Sequence, residues 1–299
     1  DSHFPTIDEN DPYALSAGEV LVMEKLRACF LGSEKLQRHA HDLFMRGGMY
    51  RTFNGNLLYH GCVPLCEDGS FKKVRIGGGD YCGKALFDRL DALVRKGYFS
   101  PDGNEREEGQ DAMWFLWANE NSPLYGKEKM TTFERYFVDD SACCAEEKNA
   151  YYRYLDDEKT VNAILKEFGL DPLSPMTHII NGHMPVHLKN GEKPVRCGGK
   201  LLMIDGGMSR PYQRETGIAG YTLVYNSYGM RLVAYDPFRS AEEAIKNESD
   251  IHSVTEVVQL SDRRLLIRDT DNGRRMAENI AELSALLDAY RAGIVREKR

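Results

Sequence analysis

The sequence predicts a layered α/β fold in which helices pack against β-sheet, and three observations carry that expectation. Amphipathic helical patterns fill much of the first half. From residue 177 onward short apolar runs bounded by turn residues take over, and one long amphipathic helix closes the chain.

Ser16-Ala17-Gly18-Glu19 reads as a capping box, and Val20, Met23, Leu26 and Phe30 then repeat at helical spacing. A second helix is expected over 35–45, stopped by Gly47-Gly48. Residues 50–60 alternate and end in Asn56-Leu57-Leu58-Tyr59-His60, read as one buried strand. A helix over 84–95 places Leu86, Phe87, Leu90, Leu93 and Val94 on one face. Trp114 and Trp117 are assigned to the core, and 148–168 reads as a single helix ended by Gly169.

Strands follow at 177–181, 200–205, 221–225 and 231–235, the last two flanking the hairpin signal Asn226-Ser227-Tyr228-Gly229. Two more are expected at 255–260 and 263–268. The closing helix carries Met276, Ile280, Leu283, Leu287 and Tyr290 on its apolar face. Residues 1–240 are expected to form one domain portion and 241–299 a strand–helix extension.

Composition narrows the function. The 299 residues are 42% hydrophobic and 28% charged, with a net charge of −7. That balance argues against a nucleic-acid surface, which would need a basic stripe, but leaves room for a phosphorylated small molecule held by a local Arg/Lys cluster. No run approaches the roughly 20 apolar residues of a membrane span, and no secretory leader opens the chain. Seven cysteines without a CxxC pair read as reduced thiols, hence a cytoplasmic protein. The opening Asp1-Ser2-His3-Phe4-Pro5, without Met, reads as the interior of a longer protein.

Two segments present histidine in the same way. Tyr59-His60-Gly61-Cys62-Val63-Pro64 and Asn181-Gly182-His183-Met184-Pro185 each place His at the end of an apolar strand, beside Gly and before Pro. Strand-end histidines distant in sequence can converge at one sheet edge, and neutral imidazole is a common ligand for zinc, manganese and iron. Spacing alone leaves both a metal ligand and a satisfied loop histidine open.

His60-Gly61 resembles the His-Gly step of the phosphoprotein phosphatases, and Gly182-His183 a later His of calcineurin-like metallophosphatases. Longer runs are more specific. Asn54-Gly55-Asn56-Leu57-Leu58-Tyr59-His60-Gly61-Cys62, Asn181-Gly182-His183-Met184-Pro185-Val186, Gly198 through Gly207, and Thr216-Gly217-Ile218-Ala219-Gly220-Tyr221-Thr222-Leu223 together resemble class III fructose-1,6-bisphosphatase, the Firmicutes type. The resemblance extends over essentially the whole chain.

It implies a metallophosphatase-type sheet and helix arrangement, of which this chain is the C-terminal portion. It also implies a dinuclear Mn2+ site and hydrolysis of fructose 1,6-bisphosphate in gluconeogenesis, by two ions about 3.5–4 Å apart that clamp an in-line displacement. His60 and His183 would bind the second metal. The Asp-x-His, Gly-Asp-x-x-Asp-Arg-Gly and Gly-Asn-His motifs implied for the N-terminal half do not occur here, Asp1-Ser2-His3 matching the first only in its letters. The expected partners are therefore a phosphorylated sugar and an N-terminal half of the same enzyme, together with a homo-oligomeric copy. The isolated chain is expected to be inactive.

Substrate phosphate contacts are expected from Arg210, Tyr212 and Arg214, in a loop after Gly206-Gly207, and from Lys127. A solvated basic loop is the plainer reading of the same residues.

Rival motifs are weaker. Gly78-Gly79-Asp80-Tyr81-Cys82-Gly83-Lys84 has P-loop spacing, but Ala85 stands where a hydroxyl should meet magnesium, so a glycine-rich turn into a helix is expected. Asp269-Thr270-Asp271 has the Asp-x-Asp letters of haloacid-dehalogenase-type phosphatases but reads as an acidic helix start. A non-catalytic accessory or regulatory module, and a phosphatase of other phosphomonoester specificity, stand as alternative functions.

Overall fold

A computed structural model describes residues 3–205, 207–237, 240–248 and 253–296. Asp1-Ser2 of the opening tripeptide and Gly206 of the glycine pair lie outside the described residues.

In chain order the helices are α1 (Ala17–Gly32), α2 (Glu34–Arg46), α3 (Gly83–Phe99), α4 (Gly103–Ala118), α5 (Thr132–Phe137), α6 (Glu158–Glu167), α7 (Arg210–Thr216), α8 (Ala241–Asn247) and α9 (Asp271–Arg291). The strands are β1 (Tyr50–Phe53), β2 (Asn56–Tyr59), β3 (Val74–Ile76), β4 (Gly79–Tyr81), β5 (His178–Asn181), β6 (Val195–Arg196), β7 (Leu201–Met203), β8 (Gly220–Asn226), β9 (Gly229–Tyr235) and β10 (Ser253–Leu260). The mixed α/β class is as the sequence predicts. Two compact units divide the chain, Asp1–Met49 with Cys62–Tyr152, and Tyr50–Gly61 with Arg153–Arg299.

In the first unit the capping box forms as read, with Ser16 and Glu19 bonding reciprocally. An α3–α4 hairpin supplies much of the core. α3 buries Leu86, Phe87, Leu90, Leu93 and Val94, and α4 buries Ala112 and Leu116. The two helices touch at Gly97 and Gly109, where a Cβ on Gly109 would sit 2.2 Å from the Gly97 nitrogen. Of the P-loop-like glycines, Gly78 lies with Gly77 in the turn of the β3–β4 hairpin, Gly79 opens β4 and Gly83 opens α3, where Lys84 pairs with Asp88.

Trp114 and Trp117 overturn their core assignment, being 70% and 65% exposed. The α4 helix turns Gly109, Ala112 and Leu116 inward, and the two indoles fall on its other side.

The second unit is layered. Its main sheet runs β1-β2-β5-β7-β6, with β2, β5 and β7 parallel and β1 and β6 antiparallel at the edges. β5 and β7 are buried along their whole length, as strands covered on both faces must be. One face meets the three-stranded sheet β10-β9-β8, where Ile180 and Leu202 pack with Met230, Leu223, Tyr225 and Val258. On β5 also lies α6, which buries Val161, Ile164 and Leu165.

Three local expectations are corrected here. Residues 50–60 form a hairpin rather than one strand, because Asn54 and Gly55 both take positive φ, 49° and 80°, and turn the chain. The helix expected over 148–168 starts only at α6, since the Asp157 carboxylate caps Thr160 N and begins a new helix there. Residues 263–268 are not a strand. Arg263 pairs with Asp269, whose carboxylate also accepts the Leu266 N–H, and the segment folds back into α9. The periodic apolar residues of α1 and α9 lie exposed in these units, Val20, Met23, Ile280 and Leu283 among them.

Candidate metal centre

Parallel strands put equivalent ends at one edge. β2 pairs β5 with Leu58 opposite Ile180, and β5 pairs β7 with Asn181 opposite Met203. One or two residues past each strand come His60, His183 and Asp205, all at the carboxyl edge of the sheet. Ligand sites of open α/β sheets characteristically occupy that edge.

The backbone locks the three loops together. Gly182 N–H donates to His60 O at 2.9 Å, Ile204 N–H to Asn181 O at 2.9 Å, and Val186 N–H to Asp205 O at 2.9 Å. Asn181, buried to 1% exposure, donates its side-chain amide to Gly61 O at 2.8 Å.

These loops bring the two histidines together. His60 Nε2 stands 3.0 Å from His183 Nδ1, with ring centroids 4.8 Å apart. His183 reaches that position from a left-handed backbone with φ 66°, a conformation that costs a non-glycine residue about 1 kcal/mol or more. Gly182 beside it has only ordinary van der Waals neighbours, Asp205 Cβ and His60 O, both 3.7 Å from where its own Cβ would stand.

The electrostatics favour a neutral His60. Loss of hydration around the ring lowers its pKa, and the opposing attraction of Asp205 does not cancel the effect. A neutral imidazole offers a lone pair, which an imidazolium cannot.

In the tautomer that places a proton between them, the rings share a hydrogen bond. In the alternative both facing nitrogens carry lone pairs, the form in which imidazole ligates a cation. Nitrogens bound to one ion at about 2.1 Å and at right angles stand about 3.0 Å apart, against about 3.4 Å at the tetrahedral angle. The 3.0 Å separation is that of an N–H···N hydrogen bond and equally that of adjacent positions on an octahedral ion. Asp205 directs one oxygen to Gly207 N–H at 2.8 Å. Among the described residues no group of three or more His, Cys, Asp and Glu side chains is placed to hold a metal.

The expected phosphate contacts are placed differently from the loop that the sequence suggested. Arg210, Tyr212 and Arg214 lie on the short helix α7, begun by Pro211 within its first turn. Arg210 and Arg214, four apart, share a face, while Tyr212 turns away from it. All three are exposed. Lys127 belongs to the other unit, where its ammonium pairs with Glu146 at 2.7 Å.

Sequence reasoning passed over Asp205 and Asn181. The available signal was the same for both as for the histidines, a polar residue at or just beyond the end of an apolar run. His178 is a contrasting case. It lies at the opposite end of β5, buried, bonded to Asn56 Oδ1 at 3.1 Å, and held down to about 4 by burial and by the charge of Lys200. It is a structural histidine.

Comparison with known proteins gives consistent matches. The model of the Firmicute fructose-1,6-bisphosphatase family matches residues 1–292. The fructose-1,6-bisphosphatase class 3 of Alkaliphilus metalliredigens is 53% identical over 302 residues, covering 100% of this chain and 45% of the relative. That of Clostridium acetobutylicum is 53% identical over 298 residues, covering 99% and 44%. The Clostridioides difficile protein of the same name is 50% identical, covering 99% and 45%. The chain thus spans a little under half the length of these relatives. No solved structure matches significantly.

Proposed function

Because the chain belongs to the Firmicute fructose-1,6-bisphosphatase family, we propose that it supplies part of the metal and substrate site of a sugar bisphosphatase. The reaction is hydrolysis of fructose 1,6-bisphosphate to fructose 6-phosphate and phosphate, serving gluconeogenesis in the cytoplasm. The observation that carries the reading is the convergence of His60 Nε2 and His183 Nδ1 to 3.0 Å at the carboxyl edge of the parallel strands.

In this reading His60 and His183 hold the second ion of a dinuclear Mn2+ centre of the metallophosphatase type. When bound, the ions supply positive charge against the charge that develops on the transferred phosphoryl group. His60, neutral at pH 7, presents its lone pair there, and Asp205 adds a negative field beside it. Arg210 and Arg214 present guanidinium groups to substrate phosphate, with Tyr212 as a further contact. The bridging carboxylate, the remaining ligands and the general acid come from an N-terminal half, of which the longer relatives have room. Residues 1–240 are then the C-terminal portion of the catalytic domain and 241–299 its extension.

A second reading treats the chain as an accessory module without chemistry of its own. Both readings accommodate described residues that group no three metal-binding side chains. Phosphate release from fructose 1,6-bisphosphate with Mn2+ separates the two readings, measured on the chain alone and after mixing with the complementary half of the protein. The proposal expects activity only in the mixture. Equal activity in the isolated chain would overturn the claim of missing ligands, and a mixture in which the half alone accounts for all turnover would favour the accessory reading.

A further inference from the structure

We propose that Asn181 is a positioning residue that sets the spacing of His60 and His183, and so tunes the affinity of the metal site; this rests on the ligand reading above.

Three observations point to it. Asn181 ends β5 immediately before Gly182-His183, so its backbone fixes where the His183 loop begins. Its side chain crosses to the other loop, donating from Nδ2 to Gly61 O at 2.8 Å, directly after His60. The Gly182 N–H to His60 O bond runs beside it. One residue thus grips both histidine-bearing loops, with its backbone in one and its amide on the other.

The third observation is the state of its remaining acceptor. Asn181 is 1% exposed, and its Oδ1 is buried without a hydrogen-bond partner. A buried acceptor left unpaired costs about 1–3 kcal/mol. A residue chosen for stability alone would be apolar here, as Ile179 and Ile180 are on the same strand. An amide that tolerates this penalty while holding a donor contact between two candidate ligands is the pattern of a group that orients ligands from behind. Loss of such supporting contacts typically lowers metal affinity about 10- to 100-fold.

The experiment compares Asn181→Asp, Asn181→Ser and His178→Gln with the unaltered full-length enzyme. Asn181→Asp keeps the shape but replaces the donor by a carboxylate oxygen facing Gly61 O. Asn181→Ser keeps a donor on a shorter stem, and serves if the Asp variant does not fold. His178→Gln perturbs a buried polar pair on the same strand without touching either loop. Mn2+ affinity and melting temperature are read for each, with His60→Ala as the ligand control.

The expected result is a 10- to 100-fold weaker Mn2+ affinity for Asn181→Asp and a smaller loss for Asn181→Ser. His178→Gln should lower the melting temperature with Mn2+ affinity unchanged. If the folded Asn181 variants bind Mn2+ as tightly as the unaltered enzyme while His60→Ala does not, the positioning role is refuted and the ligand reading stands. If His60→Ala itself binds Mn2+ normally, both fall. An equal loss of affinity in His178→Gln would reduce Asn181 to a merely structural role and also overturn the proposal.

Discussion

Glu146→Gln tests the account of Lys127 and its surroundings through stability against pH. Glu146 accepts from Lys127 Nζ at 2.7 Å, from Thr131 N–H at 3.0 Å and from the Thr131 hydroxyl at 2.7 Å. Burial alone would raise its pKa, but these three donors and the lysine charge outweigh it and bring the carboxyl from 4.5 down to about 2. A carboxylate whose folded pKa lies below its unfolded value stabilises the fold above the unfolded pKa. That contribution is lost as pH falls through the folded pKa, here between 4.5 and about 2.

A shift of that size corresponds to about 3 kcal/mol, and solvent reaching a side chain 17% exposed trims it to about 2 kcal/mol. Glutamine keeps the acceptor oxygen and loses the charge. Urea unfolding of the 299-residue chain at pH 7 should therefore show the variant less stable by about 2 kcal/mol. Toward pH 2 the two should converge, with the variant's acid limb shallower. His178 contributes an earlier loss, because its pKa of about 4 lies below the ordinary 6.5 and protonation opposes burial. That loss is common to both proteins and cancels in the comparison. Equal stability at pH 7, or a constant gap down to pH 2, would refute the assignment of Glu146 as the charge that Lys127 answers.

Other substitutions have definite outcomes. Gly109→Ala places a Cβ 2.2 Å from Gly97 N and 2.5 Å from Leu93 O. Backbone cannot yield there, so despite a gain in helix propensity the variant should lose about 1–3 kcal/mol, read as a lower urea midpoint. Gly55→Ala, at φ 80° and 2.8 Å from Met176 O, should likewise lower the midpoint, whereas Gly18→Ala, with open space around it, should not. Removing both Arg210 and Arg214 should raise KM for fructose 1,6-bisphosphate about tenfold in the full-length enzyme; an unchanged KM would take α7 out of the substrate site.

How much of this was legible in the sequence depends on what each signal encodes. Apolar runs ending in Gly-flanked histidine located β2, β5 and both histidines, because strands inside the sheet are mostly apolar and their polar residues gather at the ends. The hairpin at 50–59 was carried by Asn54-Gly55, a signal that alternation on both sides obscured. Asp157 and Thr160, a capping pair, marked the break before α6. Asp205 and Asn181 stood at the same strand-end positions as the histidines, but it is the registers β2–β5 and β5–β7, bringing three distant loops to one edge, that mark them as site residues. Periodicity told which residues of α1 and α9 share a face. It did not tell whether that face has a neighbour, nor that Trp114 and Trp117 point away from the one α4 has.

The most direct test of the central claim is the manganese content of the full-length enzyme with His60→Ala and, separately, His183→Ala, by elemental analysis after removal of loose metal. Both variants should lose about half of the bound manganese together with most of their turnover, since each takes one nitrogen from the same ion. Full metal content in either folded variant would contradict the assignment of that histidine, and with it the reading of the 3.0 Å pair as a metal site.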